Sequence, residues 1–146
     1  MEVVLLETDG GVLSLINVAA TLYNSQFLEN SAQDGGVIIT YQSSITFDHI
    51  SNLTNNTAVQ SGGGIFAIDS KIALNKLLVL AQNKAYYSGG GAYLHHSQFV
   101  CQTGSLMVVD TNQARYRGGG MHMSNTYIII HFNRFFLTDN TPFQMQ

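Results

Sequence analysis

The sequence specifies an all-β fold, a right-handed parallel β-helix of about five coils of 25–29 residues, and three recurrences lead to it. The first is a glycine cluster: Gly35-Gly36, Gly62-Gly63-Gly64, Gly89-Gly90-Gly91 and Gly118-Gly119-Gly120. Counted from the last glycine of each cluster, Gly36, Gly64, Gly91 and Gly120, the steps are 28, 27 and 29 residues, and a Gly10-Gly11 pair lies 25 earlier. The second is an asparagine with an apolar residue three before it, in Phe27/Asn30, Leu53/Asn56, Leu80/Asn83, Val109/Asn112 and Leu137/Asn140. The third is an alanine two after the first four of these, Ala32, Ala58, Ala85 and Ala114. A period in this range belongs to solenoids, in which each unit buries its apolar face only against its neighbours.

Each element of a coil follows from residue pattern. After the glycines, Ile65/Ala67, Ala92/Leu94 and Met121/Met123 alternate with Phe66, Tyr93 and His122, and period-two alternation means strand. A polar corner containing Ser70, Ser97 or Thr126 follows. A second strand carries Ile72/Leu74, Phe99/Cys101 and Ile128/Ile130, and a third leads to the asparagine. Helix is excluded, because no stretch has apolar residues at helical spacing and each glycine would cost about 1 kcal/mol inside one. A leucine-rich repeat would need an apolar residue five before each asparagine; Leu78 and Met107 fit, but Ser25 and Ser51 do not. Handedness follows from the rule for parallel crossovers.

In a stack of coils about 4.8 Å apart, like positions form columns. A column of asparagines can link its side-chain amides up and down the stack. Glycine is expected where the backbone turns with positive φ or passes close to the next coil. The first coil reaches its last glycine six residues after the asparagine and the others eight, so its corner reads as two residues short.

Residues 1–146 form one β-helix domain, which reads as a section of a longer repeat protein. Repeat sequence begins almost at Met1 and breaks off just after Asn140, with no polar cap, so the segments Met1 to Thr8 and Thr141 to Gln146 would have to serve as caps. Otherwise further repeats of the same chain, or other copies end to end, would cover the open ends, the latter building a filament.

With 6 Lys+Arg against 9 Asp+Glu the formal charge is −3, which argues against nucleic acid and anionic membrane surfaces as partners. No apolar run of about 20 residues suggests direct membrane insertion. Charged residues make up 10% of the chain, and Ser, Thr, Asn and Gln supply the polar surface instead, as in extracellular and cell-surface solenoids. The single cysteine, Cys101, rules out an internal disulfide and shares an inward column with Leu74 and Ile130. Two sequons, Asn52-Leu53-Thr54 and Asn55-Asn56-Thr57, make Asn52 and Asn55 candidate glycosylation sites.

Phe27-Leu28-Glu29-Asn30 reads F-x-x-N, and Gly35-Gly36-Val37-Ile38, Gly63-Gly64-Ile65 and Gly90-Gly91-Ala92 read like G-G-A-[ILV]. The chain thereby resembles the repeats of chlamydial polymorphic outer-membrane proteins and related β-helical surface proteins, from about Gly10 to Asn140. It departs from them in having phenylalanine in only one F-x-x-N and an extra glycine in three clusters. The resemblance implies a parallel β-helix displayed outside the cell, often in adhesion, and brings no catalytic residues.

Chemistry has few footholds. Polysaccharide lyases and hydrolases built on β-helices need several carboxylates on one outer face. Here the column five after the last glycine, Tyr41, Asp69, His96 and Asn125, holds one, with His96 its neighbour. His95 and His96, adjacent in a strand, should face opposite sides, and His49 and His131 show no partner, so neither metal nor cofactor is expected. The column two after the last glycine, Ile38, Phe66, Tyr93 and His122, should face outward as an aromatic stripe able to dock a sugar face, a protein or another rod. Longer coils bulge at Gln102-Thr103-Gly104 and His131-Phe132-Asn133-Arg134. The expected function is a non-enzymatic structural or adhesive module whose partners include glycans or surface proteins; the alternative is part of a polysaccharide-active enzyme or glycan-binding protein.

Overall fold

Alternating apolar residues, interrupted by residues held at positive φ, set the outline of every coil. The computed structural model describes residues 11–131 and 134–142. Gly10, the segment Met1 to Thr8, the bulge residues Phe132 and Asn133, and residues 143–146 lie outside that range. Within it the chain is a parallel β-solenoid of about five coils. One five-stranded sheet stacks Leu13–Ile16, Ile38–Tyr41, Ile65–Ile68, Ala92–His95 and Met121–Ser124, all parallel. A second broad surface carries the expected second and third strands, continuous as Ala19–Leu28 and Ser44–Thr54 in two coils and split into pairs such as Lys71–Leu74 and Leu77–Ala81 in the rest. Beyond the expected three, each coil adds a two-residue strand after its asparagine, from Ser31–Ala32 to Thr141–Pro142.

Corners between these strands are left-handed. Asn17, Gln42, Asp69, His96 and Asn125 form one column with φ between 47 and 55°. Glu29, Asn55, Gln82, Thr111 and Asp139 form another, one residue before the asparagines, with φ between 47 and 58°. Asn, Asp and His tolerate this region, whereas a β-branched residue such as Thr111 is there only because the coils on either side dictate its conformation.

The asparagine column forms as expected, and its geometry is saturated. Asn83 Oδ1 accepts from the backbone N–H of Asn56 at 2.9 Å and from Asn56 Nδ2 at 3.0 Å. Asn83 Nδ2 donates onward to Asn112 Oδ1 at 3.0 Å and back to the Leu53 carbonyl at 2.8 Å. The pattern repeats from Asn30 to Asn140. Asn56, Asn83 and Asn112 are wholly buried, so each amide uses both its donors and both lone pairs inside the rod. The residue three before each asparagine therefore has two duties: its side chain fills the core, as Leu53 and Leu80 do, and its carbonyl receives the amide of the next coil. A second ladder runs through the polar corner, where Ser43 and Ser70 accept from the backbone N–H one coil below and donate to the carbonyl two residues back.

The glycines divide the two tasks expected of them by position. Gly35, Gly62, Gly89 and Gly118 have φ between 52 and 70°. The middle column, Gly11, Gly36, Gly63, Gly90 and Gly119, lies against the next coil: a Cβ on Gly90 would fall 2.2 Å from the Gly119 carbonyl oxygen and 2.4 Å from that of Gln113. Here the expected alignment of the first coil is corrected. Gly36 stacks with Gly63 and not with Gly64, Gly91 and Gly120, because Val37 occupies the third glycine position and hydrogen-bonds to Gly64 as Gly64 does to Gly91. The corner is one residue short, since Ala32 pairs with Ala58 while Gly35 bonds where Gly62 does in the next coil.

Inside, Ile38, Ile65 and Ala92 form one buried column and Ile45, Ile72 and Phe99 another. Cys101 is buried between Leu74 and Ile130, as expected, and burial pushes its thiol pKa up. Replacing Asn83 by leucine strands the amides of Asn56 and Asn112 and should destabilise the rod by about 1–3 kcal/mol in denaturant unfolding. Gly90→Ala should cost about 3 kcal/mol because backbone must move, and more than Gly64→Ala, made at a position where the first coil already carries valine.

Candidate functional site

Because the core fixes the inward positions, chemistry is confined to what the outer positions carry, and among the described residues three surfaces stand out. The first lies at the left-handed corner between the first and second sheets, where the outline turns concave and makes an open groove of about 680 Å3 along the rod. Gln42, Asp69, Lys71, His96, Gln98 and Tyr127 line it, and the serine ladder forms its floor. Gln42 replaces Tyr41 in the Asp69 column, and Tyr41 pairs with Ile68 instead, the same one-residue correction that Val37 imposes.

Asp69 and His96 are neighbours as expected, with Nδ1 and Oδ1 3.8 Å apart and both side chains half exposed. Asn125 Nδ2 lies 3.0 Å from His96 Nε2. In the tautomer that places the proton on Nδ1, toward Asp69, Nε2 accepts from this amide nitrogen. Asp69 is the single carboxylate among the groove residues.

His95 and His96 do not face opposite sides: their ring centroids are 4.0 Å apart. The positive φ of His96 ends the strand and breaks the alternation on which the expectation rested. Among the described residues, no three His, Cys, Asp or Glu side chains are placed to hold a metal ion. His49, expected to lack a partner, has the Tyr23 hydroxyl at 3.1 Å and Asp48 Oδ1 at 3.6 Å.

The aromatic stripe is the second surface, with Ile39 in place of Ile38 beneath Phe66. Phe66 and Tyr93 stack at 5.1 Å and 10°, and Tyr93 and His122 at 5.3 Å and 21°. Their ring faces are thus turned to one another, and Phe66 is only 8% exposed. Tyr93 and His122 are half-buried, so the stripe reaches solvent beyond Phe66. Both sequon asparagines point outward, Asn55 exposed at its corner and Asn52 half-buried beside inward Leu53.

The third surface was not found by reading strands. Between the fixed alanine and the first glycine, Val59-Gln60-Ser61 becomes Tyr86-Tyr87-Ser88 and then Arg115-Tyr116-Arg117 in successive coils. Tyr87 and Tyr116 are 57% and 58% exposed with ring centroids 5.2 Å apart, and the Arg115 guanidinium lies 5.2 Å over the Tyr116 ring. The available signal was that these positions change chemistry while the flanking alanine and glycine do not. The bulge at Gln102-Thr103-Gly104 is exposed and closes as a turn from the Ser105 N–H to the Gln102 carbonyl at 3.0 Å.

No family model, curated protein or solved structure matches this chain.

Burial, followed by the charge of Arg117, holds the His122 pKa below its ordinary value of 6.5. The unfolded chain thus binds the proton more readily, and stability falls as pH drops through the window just below 6.5. His122→Phe should reduce the loss of thermal stability between neutral and mildly acidic buffer, and Arg117→Gln should reduce it less; melting curves of the three proteins check the order.

Proposed function

We propose that this chain is a non-enzymatic structural or adhesive β-solenoid module of an extracellular or cell-surface protein, part of a stalk or filament. The observation that carries the reading is the unbroken buried ladder Asn56–Asn83–Asn112, which fixes one cross-section coil after coil and leaves the side faces free to vary. A low charged fraction of 10% and the resemblance to surface-repeat proteins support placement outside the cell. In that setting Asn55, and then Asn52, are the positions for a glycan. Partners are further coils of the same chain or other copies end to end, and glycans or surface proteins on the side faces.

The competing reading, a polysaccharide-active enzyme, rests on the Asp69–His96 pair in the groove. The protein incubated with acidic and neutral polysaccharides should release no reducing ends. Reproducible cleavage that Asp69→Ala abolishes would overturn the proposal in favour of the enzyme. Light scattering tests the assembly: concentration-dependent growth supports stacking of copies, and a stable monomer at all concentrations removes the filament from the reading.

A further inference from the structure

We propose that the corner formed by Tyr86, Tyr87, Arg115, Tyr116 and Arg117 is a binding surface for an acidic polysaccharide, one whose carboxylates are spaced a sugar or more apart. The proposal rests on the adhesive reading above and names the contact through which such a module would hold its partner.

Charge is the first argument. The protein is formally −3, yet the adjacent stretches Lys84–Ser88 and Gln113–Arg117, stacked on neighbouring coils, hold three of its 6 basic residues and no carboxylate. Arg115 and Arg117 are exposed, and neither guanidinium is ion-paired or hydrogen-bonded among the described residues. A guanidinium in this state keeps its fork of N–H donors for an external carboxylate or sulfate, which it can grip with two parallel bonds.

Ring exposure is the second. Tyr87 and Tyr116 are tilted by 39°, where Phe66 and Tyr93 are nearly parallel, so a wedge of ring surface stays open to solvent. More than half of each of these two tyrosines is exposed, against 8% for Phe66. Arg115 covers one face of Tyr116, which places a cation beside the ring at which a sugar would stack. A uronic acid has the complementary form: an apolar C–H face for the ring and a carboxylate at its edge for the cation. An extended polymer can lay successive sugars along an exposed corner, whereas a small free anion needs an enclosing pocket.

Sparse charge separates this partner from nucleic acid. Phosphates at every nucleotide would meet two free arginines on a protein that is otherwise net acidic, and the excess charge would repel. A polymer with a carboxylate on every second sugar brings far fewer charges to these two arginines than a nucleic acid does.

The test is binding of hyaluronan fragments to the intact protein, with dextran as the neutral polymer and oligo-dT as the nucleic acid, at low and raised salt, and with reducing ends assayed in the same samples. Hyaluronan should bind, more weakly as salt rises, and neither dextran nor oligo-dT should match it. Arg115→Gln with Arg117→Gln should weaken binding by about tenfold or more, and Tyr87→Ser with Tyr116→Ser should weaken it at every salt concentration. Far-UV circular dichroism of the exposed-site variants checks that the solenoid is intact. Absence of hyaluronan binding, equal binding of dextran or oligo-dT, or full binding by the folded arginine variant overturns the inference. Release of reducing ends would instead overturn the structural reading on which it rests.

Discussion

The three inner coils each turn a corner on a wholly buried amide, that of Asn56, Asn83 or Asn112, and the rest of the rod is arranged so that this amide finds four partners. An unsatisfied buried donor costs about 1–3 kcal/mol, comparable to the burial of a core side chain, so the corner has little freedom. The carbonyl three residues earlier must point at the next coil, which sets the end of the third strand. Residue 82 and its counterparts must take positive φ to aim the asparagine inward. The middle glycines must be bare to let the coils approach at the spacing the amide ladder needs.

With the corner fixed, each coil presents the same inward positions and a free choice of outward ones. The serine ladder at the opposite corner repeats the logic more cheaply, since a hydroxyl serves one backbone N–H and one carbonyl. The outer faces consequently carry the information specific to this protein: a polar groove, a stack of rings, and a corner that changes from Val59-Gln60 to Tyr86-Tyr87 to Arg115-Tyr116 without disturbing the alanine before it.

Much of the fold was legible because its two strongest constraints act on single residues at fixed positions. Asn56, Asn83 and Asn112 repeat since no other side chain has their donors and acceptors at that reach, and Gly63, Gly90 and Gly119 repeat since any Cβ would meet backbone. The error at Gly36 arose where the constraint relaxes: the third glycine position accepts Val37, so counting from the last glycine shifted the first coil by one. His95 and His96 misled for another reason, because a left-handed residue reverses the direction in which its side chain leaves and sequence alternation carries no mark of it. The tyrosine and arginine corner was missed because it belongs to no strand long enough to alternate.

The asparagine ladder also has a direction. Every Oδ1 from Asn56 to Asn140 accepts from the coil before it, and every Asn Nδ2 from Asn30 to Asn112 donates to the coil after it. The side-chain dipoles therefore add along the axis, each polarising the next. A rod built this way is electrically polar, with a donating side and an accepting side, and any further coil can extend its ladder only in the same sense, never nose to nose.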